Sequence, residues 1–252
     1  MSFSEDENIL LIGIDDTDNP ESRGTGYLAR KLGVQLQEQG FMDMLNITRH
    51  QLLVDERISY TSHNSSACLM GKPHADKESI TDLCSDFLVN ESAAGSDAGL
   101  CIAKPSQISA NILQWGIRAK NEILSCYEAD NLAGEHNILL LGLTGEKTGV
   151  IGALAAAALR AGGNDGRVLW TKNLRELQGI FSIRELLLFL NIDLVVSVSG
   201  KQIHQEDKVF TGEWCRPVIK NQNITLFVEE AEDHEQFRWK CASKDFIKNI
   251  SG

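Results

Sequence analysis

Ile9-Leu10-Leu11-Ile12-Gly13-Ile14-Asp15-Asp16-Thr17-Asp18-Asn19-Pro20, running on through Ser22-Arg23-Gly24-Thr25-Gly26-Tyr27, is the stretch whose reading decides the fold. Six apolar or glycine residues predict a short buried strand. Three carboxylates meet at its carboxyl end, before a Pro- and Gly-marked loop and a helical pattern. Like charges crowded there repel, and a divalent cation, a nearby Arg or Lys, or protonation of one acid must offset them. Oxygen ligands of this kind suit Mg²⁺. An Asp-rich turn can also simply cap the next helix. Three acids at the end of a buried strand, with glycines behind them, favour a site.

A chain of 252 residues is long enough to bury a real core in one large or two small domains. Its net charge of −11 argues against broad, backbone-driven binding to nucleic acid, which needs clustered Lys and Arg. Met1 to Asn8 is polar and acidic, unlike a signal peptide, and no apolar run reaches the ~18 residues of a spanning helix. The expectation is a cytoplasmic protein with no membrane contact. Cys68, Cys84, Cys101, Cys126, Cys215 and Cys241 show no paired spacing, which predicts buried reduced thiols rather than disulfides or zinc.

Outward from the acids, Thr25 to Gly40 predicts a helix with Gly40 as its stop, and Leu45 to Val54 a strand. Arg49 and His50 in that strand could face solvent or reach back towards the acids. Ile58 to Met70 places a run of hydroxyl and amide side chains before a strand, a plain turn or a source of hydrogen bonds to phosphate or sugar. Lys77 to Asn90 predicts a helix and Leu100 to Ala103 a strand. Asp97, in the turn between them, reads as structural. One or two helices follow over Pro105 to Asn131, with Trp115 in the core.

A second informative stretch is Ile138-Leu139-Leu140-Leu141-Gly142-Leu143-Thr144-Gly145-Glu146-Lys147-Thr148-Gly149, entering the Ala-rich run Val150 to Arg160. Strand, Gly/Thr loop with one Lys, then helix is the order in which backbone N–H groups and a helix amino terminus hold phosphate. The standard P-loop pattern fails, because Glu146 and Leu141 stand where glycines are required. Small residues also permit a tight strand-to-helix connection. After Gly163 the texture changes. Strands are expected near Val168 to Trp170, Asp193 to Ser199, Lys208 to Gly212, Arg216 to Ile219 and Ile224 to Val228, with helices at Ile183 to Asn191 and His234 to Phe246. The fold expected is α/β, a mixed sheet flanked by helices over residues 1–165, with a smaller α+β segment over 166–252.

With Gly13-Ile14-Asp15-Asp16-Thr17-Asp18 and Gly24-Thr25-Gly26-Tyr27-Leu28-Ala29 in hand, the amino-terminal part resembles the kinase-like catalytic domain of the archaeal tRNA-Ile agmatinylcytidine synthetases. Ile58 to Ala67 and Gly149 to Ala156 match two further segments of that family, in order, over roughly residues 8–162. The resemblance implies that ATP and Mg²⁺ are bound, with Asp15, Asp16 and Asp18 holding the metal and Asp15, Asp16 and Thr25 close to the phosphoryl chemistry. It also implies that Gly24 and the loop residues Gly142, Thr144, Gly145, Lys147, Thr148 and Gly149 lie beside the nucleotide. Lys147 or Arg23 would supply a cation. The family's oligonucleotide-binding barrel and zinc ribbon have no counterpart in 252 residues without paired cysteines, which points to a short stand-alone relative. That departure and the acidic balance argue against tRNA as a partner.

The expected function is an ATP/Mg²⁺-dependent phosphotransferase or nucleotide hydrolase acting on an unidentified acceptor. Two alternatives stand beside it. One is a non-catalytic nucleotide- or metal-binding module. The other is a haloacid-dehalogenase-like phosphatase, suggested by Asp16-Thr17-Asp18 after a strand but lacking that motif's following Gly and Thr.

Overall fold

The computed structural model describes residues 8–58, 64–232 and 236–251. Strand β1 (Leu10–Asp15) is buried along its whole length except at Asp15. A continuous apolar run of that kind belongs to a strand covered on both faces. Its two neighbours, β3 (Ser65–Pro73) and β4 (Gly99–Ala103), both run antiparallel to it. β2 (Met42–Gln51) lies outside β3, and β5 (Leu139–Gly142) lies outside β4.

Helices cover both faces. On one, Leu28, Leu32 and Leu36 of α1 (Thr25–Glu38) and Cys84 and Leu88 of α2 (Lys77–Glu91) pack with Ile12, Ile14 and Leu69 of the sheet. Each such leucine contributes roughly 1.5–3 kcal/mol by leaving water. On the other face, α3 (Ala110–Ala119) and α4 (Cys126–Glu135) pack around α5 (Val150–Gly162), with Trp115 buried among them. The alanines of α5 let it lie directly on the strands. A Cβ built on Gly13 would sit 2.0 Å from the Ala153 carbonyl oxygen, so this contact is backbone on backbone.

The sheet does not stop at residue 165. β6 (Arg167–Trp170) pairs with β2, and β10 (Val218–Lys220) pairs with β6 and leads to β11 (Asn223–Glu230). β12 (Trp239–Cys241), β9 (Lys208–Phe210) and β7 (Ile180–Ser182) continue the order, and β8 (Leu194–Ser197) also joins β11. The β8–β11 and β12–β9 pairs are parallel and make the sheet mixed. α6 (Ile183–Phe189) and α7 (Lys244–Ser251) complete the carboxyl-terminal part.

Two expectations need correction. The helix expected over His234 to Phe246 is in part strand β12, because Trp239 is buried there with its indole N–H donating to Asp207 (3.0 Å); the helix begins only at Lys244. Strand β2 begins at Met42 rather than Leu45, since Met42 and Met44 are also buried. Residues 59–63 of the polar run and the start of the expected closing helix at His234 lie outside the described residues. All six cysteines are free thiols. Among the described residues no helix is long and apolar enough to cross a membrane.

Candidate functional site

β1 ends at Asp15, and the next residue, Asp16, has φ of 51°. This left-handed conformation is rare outside Gly, Asn and Asp, and it turns the chain out of the strand. As a result Asp15, Asp16 and Asp18 do not follow strand alternation. All three line one cleft of about 310 Å³, together with Thr25, Asp97, Thr148 and Gly149. Leu52, Leu124 and Ile151 supply an apolar wall to the same cleft.

Asp97 comes from the turn before β4 and ties the two informative stretches together. Its carboxylate accepts from the Glu146 backbone N–H (2.6 Å) and the Thr148 hydroxyl (3.0 Å). The same hydroxyl stands 3.4 Å from an Asp16 oxygen. Thr25 opens α1, and its hydroxyl donates to Asp18 (2.9 Å) while accepting from Thr17 (3.1 Å). The helix cap, Gly24, offers no side chain to the amino end of α1.

The carboxylates are poorly compensated. Burial, then the charges of Asp16 and Asp18, push the Asp15 carboxyl up to about 8. Asp16 is raised as well, by burial first and then by Asp97. Asp15 lies against α5, where a Cβ on Gly152 would fall 1.8 Å from one of its oxygens, so only glycine admits it. Among the described residues no Lys or Arg forms an ion pair with Asp15, Asp16 or Asp97.

Mg²⁺ bound with a nucleotide uses one or two carboxylates and completes its shell with water and phosphate oxygens. Among the described residues no three His, Cys, Asp or Glu side chains converge as a ready-made metal site. Asp15 and Asp16, uncompensated and open to one cleft, therefore suit a cation that arrives with phosphates better than one caged by protein alone.

The other residues expected at the nucleotide divide. Thr148 and Gly149 line the acidic cleft, and Gly24 lines a neighbouring one. Gly142, Thr144, Gly145 and Lys147 line neither. The Thr144 hydroxyl donates to the Ser96 carbonyl (2.7 Å) and accepts from the Ala98 N–H (2.8 Å), stapling the loop to the turn that carries Asp97. Gly145 lies against the Asp97 carboxylate, where a Cβ would fall 1.7 Å from an oxygen. Lys147 is exposed, has φ of 68°, and folds its stem over Gly142. Arg23 is exposed with its guanidinium over the Tyr27 ring. His50 is fully buried between Asp165 (2.8 Å) and Thr48 (2.8 Å), away from the acids, and burial pushes its imidazole down.

The sequence reading missed Asp97 as a site residue, and it missed the second cleft. The cue for Asp97, an acid between Gly95 and Gly99, is a pattern shared with plain turns and too loose to carry a role over from the similar family. The second cleft has a volume of about 680 Å³, meets the first at Asp18, Thr25 and Ser65, and carries five arginines and two lysines in its lining.

No family model matches the chain. An uncharacterized protein of Methanocaldococcus jannaschii is 27% identical over 150 residues, covering 60% of this chain and 49% of that protein. Among solved structures, the isoleucine-tRNA agmatidine synthetase TiaS, in complex with that tRNA and ATP, superposes with a TM-score of 0.52 at 20% identity, over 60% of this chain and 36% of the other. A tRNA fluorescent labeling enzyme gives a TM-score of 0.52 at 21% identity, with 60% and 36% covered. The chain thus spans about half the length of the curated relative and about a third of the solved chains. Over 60% of its length, this chain shares the fold of about a third of the agmatidine synthetase TiaS.

Proposed function

We propose that the acidic cleft binds a nucleoside triphosphate, ATP in the first instance, together with Mg²⁺, and that the chain is a phosphotransferase or nucleotide hydrolase. The observation that carries this reading is the set of uncompensated carboxylates, Asp15, Asp16 and Asp97, facing an apolar wall in one cleft. The similar synthetase has been crystallised with ATP, which supports the choice of nucleotide. Residues 1–165 form the nucleotide-binding part in this reading, and 166–252 complete the neighbouring cleft from which an acceptor enters.

Asp15 and Asp16 would hold the metal, whose chemistry is to neutralise phosphate charge as it shifts during transfer. Asp97, through Thr148, keeps the Asp16 carboxylate at the cleft wall. Asp18 accepts from both the Thr25 hydroxyl and its backbone N–H, which fixes the amino end of α1 where the two clefts meet. Leu52, Leu124 and Ile151 make the apolar part of the same lining. Such a division of labour fits phosphoryl transfer, where catalysis is positioning and charge stabilisation.

Calorimetric titration with a non-hydrolysable ATP analogue tests the reading. Binding is expected to require Mg²⁺ and to weaken by about tenfold or more in Asp15→Asn. Equal affinity with and without Mg²⁺, or in the variant, contradicts it. Binding without release of phosphate from ATP in any condition makes the chain a nucleotide-binding module instead of an enzyme.

A further inference from the structure

Arg49 of β2 stands directly opposite Arg167 of β6, and Arg167 in turn opposes Val218 of β10, two residues after Arg216. Like charges facing each other across a sheet are destabilising. Here Arg49 and Arg167 pair across two strands in the lining of the second cleft, and Arg216 joins them from the segment just before β10. Trp214 gathers two of them, with the Arg167 and Arg216 guanidiniums 6.0 and 5.6 Å from its ring centre. Arg30 of α1 and Arg175 add to one wall, and Lys244 and Lys248, one turn apart on α7, form another.

Seven cationic side chains thus line this cleft, against one carboxylate, Asp18. Among the described residues none of the seven makes an ion pair with an acid. Burial, then Arg167, pushes Arg49 down to about 10, and burial, then Arg175 and Arg216, lowers Arg30. A chain of net charge −11 has acids to spare, yet they are absent from the rest of this lining.

We propose that the basic cleft is a second, metal-independent anion site for a small molecule carrying two or more phosphate groups. Arginine forks bind phosphate through paired charge-assisted hydrogen bonds, and the sheet holds Arg49 and Arg167 opposite each other. Gly24 and Gly26, at the amino end of α1, line the same cleft and add backbone donors. The cleft's volume of about 680 Å³ suits a compact ligand. A long nucleic acid leaving it would run over an acidic protein, which favours the small molecule over RNA. Because Asp18, Thr25 and Ser65 are shared by both clefts, a ligand here lies beside the acids. Its role as phosphoryl acceptor rests on the proposed nucleotide site; its binding does not.

Inorganic tripolyphosphate in EDTA is the probe. The full chain is expected to bind it in EDTA, more weakly as salt rises, and, in a separate titration without EDTA and with Mg²⁺ in excess, to keep binding it when saturated with the Mg²⁺–ATP analogue. Arg49→Gln and Arg167→Gln should each weaken it by about tenfold or more. Each should also raise the melting temperature of the ligand-free chain, because the cross-strand repulsion is relieved, and that rise certifies the fold. No tripolyphosphate binding, unchanged affinity in both variants, or displacement by the nucleotide analogue overturns the proposal. Tighter binding of a short single-stranded RNA than of tripolyphosphate overturns the small-molecule assignment. Loss of nucleotide binding with tripolyphosphate binding intact would sink only the nucleotide reading.

Discussion

Asp15, raised to about 8, keeps its proton in the folded chain at pH values where the unfolded chain, titrating near ~3.9, has lost it. The folded state therefore binds more protons between about pH 4 and pH 8, and stability falls as pH rises through that window and then levels off. Asp15→Asn removes the ionisation at little change in volume. It is expected to match the parent at pH 4 and to exceed its stability at pH 8, without metal, by on the order of 1 kcal/mol, since the open cleft screens part of the shift. Urea unfolding at the two pH values measures this. A variant no more stable at pH 8 would mean that another group already neutralises the carboxylate. The same titration makes Mg²⁺–nucleotide affinity rise with pH up to about 8. At this scale much of the candidate site was legible, because a buried apolar run ending in three acids needs something to offset their charge. Asp97 was not, because its role depends on a loop about fifty residues away folding over it.

At the scale of elements, helix α5 is held by what its neighbours lack. The Cβ of Gly13→Ala would meet the Ala153 carbonyl oxygen at 2.0 Å, and neither backbone can give way cheaply. The cost expected is about 2–3 kcal/mol. Gly134, inside α4, has open space where a Cβ would stand, with nothing within 4 Å, and Gly134→Ala should stabilise by roughly 0.5–1 kcal/mol. Thermal unfolding of the two variants checks the contrast; a neutral Gly13→Ala would contradict direct packing of α5 on β1. Strand, loop and Ala-rich helix were legible from residues 138–160, since composition alone separates them. Their use was less so, because small residues serve close packing and phosphate approach equally well. Three-residue strands such as β7 and β12 leave almost no periodicity, so β12 was absorbed into an expected helix.

At the scale of the whole molecule, one sheet carries two adjoining clefts of opposite charge. The acidic one grows from the end of a single strand and could be found from one segment. The basic one is built on residues 49 and 167, which only strand register brings together, with Arg216 joining from the segment before β10. No local pattern encodes that register, and a net charge summed over the whole chain conceals a concentrated cationic cleft. The most direct measurement is a crystal structure of the chain with the non-hydrolysable ATP analogue and Mn²⁺ in place of Mg²⁺. The anomalous signal is predicted within about 2.2 Å of a carboxylate oxygen of Asp15 or Asp16, with the phosphates completing the shell and the base on the Leu52 side. A metal–nucleotide complex seated instead among Arg49, Arg167 and Arg216, with Asp15 and Asp16 unliganded, would contradict the assignment of the acidic cleft.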